Sequence, residues 1–516
     1  MAEQEDFTSL VPFHTFPTTL EEQREALKTN PLLQRMNEYR KSYEGDPHRP
    51  IYHYVNPEST LNDPNGLCFW EGKWHLFYQA YPPEDPRQHW GHAISDDLIH
   101  WEDLPYAIYP NPERCVYSGA TLVEEDRVIA MYHGTVVGNM VAVSNDPLLL
   151  NWEKLTGQAV IPAKNPDGST PPYRVFDPCI WKKGDYYYSL SGGTLPIPGN
   201  KIKRANFLLR SPDLEKWEYL HPFVEDDLFT LVGDDGACPY FWPIADRHIL
   251  LFFSHMSGGQ YLLGDYDTER DKFAVTAHDK FNFGSFGPCG VHAPSATPDG
   301  EGNVIVIFNM NSGKPTDRWN QIMTLPRKLT LLGEEDLRTE PAGDVESLRR
   351  DHVHVGGMTL PANLDVVLDT VQGNAIEIVA EIDPKTAPMV ELDVLCSPDK
   401  EEVTRIMFLK DRGLRNRALK TRKSVLTIDA TCSSILPDVV MRPPETGSFL
   451  LDEDENLHLR VFIDKSVVEV FVNGKQCVAL RVYPGREDSV GVSLRSLGQD
   501  SELISLDAWQ MENIYE

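Results

Sequence analysis

The sequence lacks the patterns that mark several classes of protein. None of its eight cysteines belongs to a Cys-x-x-Cys pair, which argues against a structural zinc site. No apolar run approaches the length of a membrane-spanning helix. Basic residues are few: 48 Lys and Arg against 78 Asp and Glu give a net charge of −30, which argues against nucleic acid or an anionic membrane as a partner. We therefore expect no metal, no cofactor, no nucleic acid and no membrane, and a neutral substrate fits this charge.

The N-terminus also lacks a targeting pattern. Its first residues, MAEQEDFTSL, are acidic and contain no basic stretch followed by an apolar one. We therefore predict a cytoplasmic protein with reduced cysteines; secretion would require a leader that is absent from this sequence.

One short sequence pattern recurs five times along the chain. Its copies start at Asn62, Tyr117, Phe176, Gly236 and His292. Each copy has a polar or tight opening, an apolar and aromatic run, a turn and a second apolar run. A period of roughly 55–60 residues is typical of the blades of a β-propeller. The repeat therefore predicts a propeller of five blades.

Two of these copies place an aspartate at the same internal position, Asp63 and Asp177. Because the innermost strand of every blade starts at the same end of the central channel, these side chains should face each other across one funnel. Two carboxylates in a concave site are the minimum equipment for cleaving a glycosidic bond. The alternative is that DPNG at 63–66 is an ordinary turn. The repeat favours the functional interpretation because it aligns both Asp-Pro steps.

The pattern divides the chain into four ranges. Residues 1–48 form a charged N-terminal extension with helical leucine spacing, and residues 49–345 form the propeller. Residues 346–357 are predicted to be a linker. Residues 358–516 are predicted to be a β-sandwich, because alternation of period two returns there and Asn473-Gly474 is a hairpin signal. The predicted fold class is all-β, a five-bladed β-propeller followed by a C-terminal β-sandwich.

We expect the C-terminal domain to be structural rather than catalytic. The segment LRVFIDKSVVEVFVNG contains Asp464 and Glu469 but no pair of carboxylates in a turn. These two side chains should be hydrogen-bonded or lie at the seam between the domains.

Several segments together carry a family resemblance. They are RPIYHYVNPESTLNDPNG from Arg49, HLFYQAYPPEDPRQHWGHAISDDLIHWEDLP from His75, YSGA from Tyr117, RWNQIMTLPRKLTL from Arg318 and LRVFIDKSVVEVFVNG from Leu459. Jointly they resemble glycoside hydrolase family 32, the β-fructofuranosidases, invertases and fructan hydrolases. That family has a five-bladed propeller and a sandwich, in agreement with the five repeats.

The resemblance implies roles for particular residues. Asp63 would be the nucleophile that attacks the anomeric carbon of a fructosyl unit, and Asp177 would hold sugar hydroxyls and stabilise the oxocarbenium-like transition state. A retaining mechanism follows, with a covalent fructosyl-enzyme. The residues implied to line the pocket are Asn62, Gln79, Trp90 and Ser118. For Trp90 the alternative is packing in the core, since large aromatics are usually buried.

The sequence departs from the family at three repeat openings. The family's general acid is a Glu directly before Cys-Pro, and Ala237 occupies that place here. Phe176 stands where the family usually has Arg, and His292 where it usually has an aromatic residue. All three positions should lie around the entrance of the same funnel. We therefore predict that Phe176 and His292 bind substrate and that this protein is a divergent member of the family.

The missing acid needs a replacement, because positioned proton transfer contributes roughly 10²–10⁴-fold in rate. Asp235 is our first choice, since residues two apart on a strand share a face and Asp235 would point the same way as Ala237. Asp234 is the second choice, and His255 or His292 the third. The alternative for Asp234-Asp235 is a solvated turn.

Two classes of function remain open. The first is a retaining hydrolase of β-fructofuranosides of the sucrose, fructo-oligosaccharide or fructan type, or a fructosyltransferase with the same site. The second is a catalytically weak sugar-binding protein. Retention of both Asp63 and Asp177 favours the enzyme.

Overall fold

The computed structural model describes residues 5–225, 227–417 and 420–515. Residues 1–4 and 516, the outermost parts of the predicted extension and sandwich, lie outside the described residues. Within this part of the chain, no helix is long and apolar enough to cross a membrane. The compartment stays a prediction.

The N-terminal extension contains two α-helices in its described part, α1 (Leu20–Lys28) and α2 (Pro31–Ser42). Asn30 is the N-cap of α2. Its Oδ1 accepts hydrogen bonds from the backbone amides of Leu32 and Leu33, both at 3.0 Å. Pro31 then occupies the first helical position, where its missing N–H costs nothing. The leucine spacing therefore belongs to two short helices.

Five sheets follow in chain order. The first contains β1 (Leu61–Trp70), β2 (Lys73–Ala80), β3 (His89–Ser95) and β4 (Trp101–Ile108). The second contains β5 (Val116–Val123), β6 (Val128–Gly134), β7 (Gly138–Ser144), β8 (Glu153–Lys154) and β9 (Ile161–Pro162). The third contains β10 (Pro178–Lys183), β11 (Tyr186–Ser191), β14 (Phe207–Ser211) and β15 (Glu218–Pro222), with the separate hairpin β12 (Thr194–Ile197) and β13 (Lys201–Arg204). The fourth contains β16 (Val224–Glu225), β17 (Ala237–Ile244), β18 (Arg247–Ser254), β19 (Gly258–Asp267) and β20 (Lys272–Lys280). The fifth contains β21 (Val291–Pro298), β22 (Val304–Met310), β23 (Ile322–Met323), β24 (Arg327–Leu332) and β25 (Asp336–Pro341).

The first long strand of each sheet lies on the inside of a closed ring. β1 contacts β5, β5 contacts β10, β10 contacts β17, β17 contacts β21, and β21 contacts β1 again. The five repeat copies start within two residues of these strands. The predicted five-bladed propeller is therefore confirmed.

The C-terminal part is a sandwich of two antiparallel sheets, which enclose a core of aliphatic side chains. Its first strands, in chain order, are β26 (Arg349–Val355) after a 3-10 turn at Val345–Leu348, β27 (Met358–Leu360), β28 (Asp365–Gln372), β29 (Ala375–Asp383), β30 (Met389–Cys396), β31 (Val403–Leu409), β32 (Arg415–Asn416) and β33 (Thr421–Arg422). The rest are β34 (Ser424–Cys432), β35 (Glu445–Phe449), β36 (Leu457–Asp464), β37 (Val467–Val472), β38 (Gln476–Arg481), β39 (Gly491–Leu497) and β40 (Ser501–Met511). One sheet has the order β26-β40-β29-β36-β37-β38, with β27 on β40, and the other β28-β39-β30-β31-β34-β35.

Two local predictions in this domain have different outcomes. Asn473 and Gly474 join β37 to β38 with positive φ of 50° and 60°, as the hairpin signal requires. The segment 346–357, in contrast, is not a free linker, because β26 pairs with β40 at the edge of the sandwich. Alternation in RDHVHV, with Val353 and Val355 packing on the core, is the signal that marks this strand.

Asp464 and Glu469 lie at the seam between the two domains, as predicted. Asp464 is fully buried and accepts hydrogen bonds from the backbone amides of residues 51–53 at 2.8–2.9 Å and from His53 Nδ1 at 2.8 Å. Glu469 accepts from the Leu325 amide at 2.7 Å and from Arg327 Nη2 at 2.8 Å. Sandwich carboxylates therefore fix the propeller's first and last segments.

We expect Asp464→Asn to lower stability and leave turnover unchanged. An amide group cannot accept on both sides, so one NH2 would face the buried amides of residues 51–53. Breaking a buried charged network costs about 3–5 kcal/mol. Thermal unfolding and kcat of the folded protein are the measurements.

The matched control is Asp454→Asn, an exposed aspartate of the same domain. It should change neither quantity. A selective loss of turnover in Asp464→Asn, with unchanged melting, would contradict the structural role.

Candidate active site

Bulges shape the channel ends of four innermost strands. In β1, β5, β17 and β21, two residues oppose a single residue of the next strand. The bulged pairs are Asn62 and Asp63, Tyr117 and Ser118, Cys238 and Pro239, and His292 and Ala293. A bulge bends the strand and re-aims its side chains, which is why bulges are common beside active sites.

Asp63 has one carboxylate oxygen held and one free. Oδ2 accepts hydrogen bonds from Ser118 Oγ at 2.5 Å and from Gln79 Nε2 at 3.2 Å. Oδ1 is buried and accepts none from any described residue. His292 Nδ1 lies 3.4 Å from Oδ1 and 3.3 Å from Asn309 Nδ2. Asp63 thus presents one unshared oxygen.

The residues around Asp63 are themselves fixed. Gln79 sits opposite the first bulge, donates to Ser118 Oγ at 2.8 Å and accepts from Asn62 Nδ2 at 3.1 Å. Gly119 follows Ser118 where a Cβ would lie 2.2 Å from the Met131 carbonyl oxygen, so glycine is required. This network holds the orientation of the Asp63 carboxylate.

Asp177 lies beside Asp63 across the channel. Cys238 bridges the two: its Sγ is 3.6 Å from Asp63 Oδ2 and 3.5 Å from Asp177 Oδ2, and its amide donates to Asp177 Oδ2 at 3.1 Å. Burial and the neighbouring Asp63 carboxylate raise the pKa of Asp177 to about 7, against the opposing effects of the Cys238 hydrogen bonds and the His255 charge. The two carboxylates therefore share one electrostatic environment, as the repeat alignment predicts.

Both carboxylates open into one cavity of about 150 Å³. It is lined by Asn62, Asp63, Gln79, Gln88, Tyr117, Ser118, Phe176, Asp177, Ala237, Cys238, Phe253, His255 and His292. Seven of the nine site residues expected from the sequence are in this set; Trp90 and Asp235 are not.

Trp90 corrects the prediction that it lines the pocket. Its side chain is fully buried, stacks on Phe77 in the core of the first two blades and donates its indole N–H to the Tyr117 carbonyl at 2.9 Å. The alternative, core packing, describes this residue. Trp90 therefore holds the backbone of Tyr117 in place and is not exposed to the cavity where a sugar would bind.

Asp235 is paired with His255 instead of facing the carboxylates. Its Oδ2 lies 2.7 Å from His255 Nδ1 and its Oδ1 accepts from the His255 amide at 2.9 Å. Burial opposes ionisation, but the hydrogen bond and charge of His255 outweigh it and lower the pKa of Asp235. An ionised carboxylate turned towards His255 is a poor proton donor, which corrects the assignment of Asp235 as the acid.

Asp234, the second choice, has a structural role. It is fully buried and accepts hydrogen bonds from Ser254 Oγ at 2.7 Å, Ser257 Oγ at 2.5 Å and the Leu231 amide at 2.7 Å. These contacts fix the loop at the rim and direct the carboxylate away from the cavity.

Sequence reasoning missed several lining residues, of which Cys238 is the most central. The sequence did mark Cys238. It directly follows Ala237 in the opening of the fourth repeat copy, and the openings of the first two copies supply Asp63 and Ser118. Phe253 and Tyr117 add aromatic walls. Among the described residues, no three His, Cys, Asp or Glu side chains are grouped to hold a metal ion.

The chain matches family models over nearly its whole length. Residues 53–341 match the glycosyl hydrolases family 32 N-terminal domain, and residues 344–510 match the family 32 C-terminal domain. It is 25% identical to a sucrose-6-phosphate hydrolase of Zymomonas mobilis, covering 86% of this chain and 88% of the relative. It is 26% identical to levanase of Bacillus subtilis, covering 92% and 72%.

Solved structures share the fold. Fructan 1-exohydrolase IIa from Cichorium intybus superposes with a TM-score of 0.77 at 21% identity, covering 91% of this chain and 98% of that one. The two matching models show that the chain belongs to glycosyl hydrolase family 32 and is a glycosidase.

Proposed function

We propose that this protein is a retaining hydrolase of β-fructofuranosides, with a small carbohydrate as substrate. The observation that supports this proposal most strongly is the state of Asp63. Its carboxylate is buried, with one oxygen fixed by Ser118 and Gln79 and the other free of hydrogen bonds. It lies in a small cavity shared with Asp177. A fixed carboxylate with one free oxygen suits attack on an anomeric carbon.

The proposed reaction begins with attack by the free Asp63 oxygen on C2 of the fructosyl unit. The bond to the leaving oxygen breaks, and a covalent fructosyl-enzyme forms. Positive charge develops on the ring in the transition state, where the Asp177 carboxylate stabilises it and holds ring hydroxyls. Attack by water on C2 then restores Asp63.

Relatives support the choice of substrate. The names of two of them specify hydrolysis of sucrose 6-phosphate and of levan, and a variant of the chicory exohydrolase was solved with 1-kestose. These substrates share a terminal β-fructofuranosyl unit, which is the part that a cavity of this size admits.

The alternative of a sugar-binding protein is less well supported. Binding alone does not require a buried carboxylate with an unpartnered oxygen, whose desolvation costs free energy. Transfer of fructose to a second sugar uses the same intermediate and differs in the acceptor.

Product analysis tests this function. Purified protein is incubated with sucrose, inulin, levan and short fructo-oligosaccharides, and the products are separated by anion-exchange chromatography. We expect release of free fructose from at least one of them. Longer oligosaccharides without free fructose would indicate transfer, and binding without any product would contradict the proposal.

A further inference from the structure

The proposed reaction leaves the proton for the departing oxygen unassigned. Ala237 occupies the position directly before Cys238, where a carboxylate was expected. It packs against Cys238, Ala293 and Phe176. Asp63 and Asp177 have other roles in the reaction. His292 is a poor donor, because burial lowers its pKa despite the Asp63 charge, and its ring stacks on Phe286 at 4.3 Å between centroids.

Burial raises the pKa of the Tyr117 phenol and of the Cys238 thiol, so neither gives up its proton as readily as an imidazole. Of the titratable side chains that line the cavity, this leaves His255. It follows the end of β18, the strand that pairs with β17, and Ala237 pairs with Phe253 two residues earlier. Asp235 therefore lies opposite His255 across the open end of this hairpin. The blade that lost its carboxylate at Ala237 thus brings an imidazole to the same rim.

Asp235 fixes both the position and the tautomer of that imidazole. One carboxylate oxygen accepts from the His255 backbone amide and the other from its Nδ1. No described residue hydrogen-bonds to Nε2, which leaves that nitrogen for a ligand. A carboxylate on one imidazole nitrogen orients the other for proton transfer.

Resting on the proposed function, we infer that His255 is the proton donor and acceptor of this site and that Asp235 is its positioning residue. The hydrogen bond to Asp235 raises the pKa of His255 against the effect of burial, and the charges of Asp235, Asp63 and Asp177 raise it further. These interactions favour the protonated imidazole, the form that an acid requires. His292, the other titratable group nearby, stacks edge-on at 6.0 Å.

The proton balance closes over the two steps. Protonated His255 gives its Nε2 proton to the glycosidic oxygen as the bond from C2 to that oxygen breaks, and the electron pair stays on the oxygen. Asp63 forms the bond to C2. Neutral His255 then takes a proton from water while the water oxygen bonds to C2, and Asp63 leaves as a carboxylate. Fructoside and water become fructose and alcohol, and both side chains return to their starting states.

The test compares His255→Gln with wild type on two substrates, a natural fructoside and β-fructofuranosyl fluoride. Fluoride departs without a full proton, so kcat/KM on the fluoride, which covers only the steps up to fluoride departure, reports attack by the nucleophile without help from the acid. We expect kcat/KM on the natural fructoside to fall about 10²–10⁴-fold, and kcat/KM on the fluoride to stay within a few-fold of wild type. The kcat on the fluoride should fall, because His255 also takes the proton from the attacking water. His248→Gln, at the far end of the same strand, is the control and should leave both rates unchanged.

Asp235→Asn supplies the second variant. It keeps the shape but removes the charge, so the alkaline limb of the pH profile of kcat/KM on the natural fructoside should move to lower pH by about one unit. The acidic limb, which reports the Asp177 carboxylate, should stay.

The outcomes separate the two proposals. Wild-type activity of His255→Gln on the natural fructoside, or an Asp235→Asn loss that is equal at all pH values, would overturn the assignment of His255 and leave the hydrolase intact. A wild-type protein that cleaves neither substrate would overturn both proposals.

Discussion

Asp63→Asn should lower kcat by about 10⁴-fold or more, since losing a nucleophile removes the covalent pathway. The change keeps the shape of the side chain, and its remaining oxygen can still accept from Ser118 or Gln79. Folding should therefore be unchanged. The measurements are kcat on the preferred fructoside and the melting temperature.

The matched control is Asp185→Asn, an exposed aspartate in the turn of the third blade. It should behave as wild type in both assays. If Asp63→Asn retains more than a small fraction of wild-type turnover, Asp63 is not the nucleophile.

Asp177→Asn should lower kcat/KM by roughly 10²–10⁴-fold. A hydrogen bond to a charged group contributes about 1.5–3 kcal/mol, and Asp177 is proposed to make two to the ring hydroxyls. Both the ring contacts and the stabilisation of positive charge are lost. Activity against the natural fructoside and β-fructofuranosyl fluoride should fall together, because this carboxylate acts on the ring and not on the leaving group.

The two substrates give this prediction its control. A fall on the natural fructoside alone would mean that Asp177 handles the leaving group's proton. That result would contradict its assigned role and support Asp177 as the missing acid.

The architecture was predictable because short sequence patterns determine it. Blade starts follow from a repeated opening, and the hairpin at Asn473-Gly474 follows from two residues that tolerate positive φ. The convergence of Asp63 and Asp177 needed only the assumption that equivalent repeat positions meet at the channel. These inferences depend on neighbours in sequence or on symmetry.

The errors concern side-chain direction and pairing between distant segments. Trp90 and Tyr117 are aromatic residues joined by a hydrogen bond, yet the first faces the core and the second the cavity. The pairing of β26 with β40 joins segments far apart in sequence. Asp235 was assigned from the geometry of the strand that it precedes, β17. Its partner His255 follows the next strand, β18.

The most direct test of the central claim is the configuration of a product trapped with methanol. The enzyme cleaves its fructoside in water containing methanol, and the methyl fructofuranoside, which cannot mutarotate, is identified by NMR. A covalent intermediate on Asp63 requires two inversions at C2, so the product should be methyl β-fructofuranoside. Methyl α-fructofuranoside would mean direct displacement and would contradict nucleophilic catalysis by Asp63.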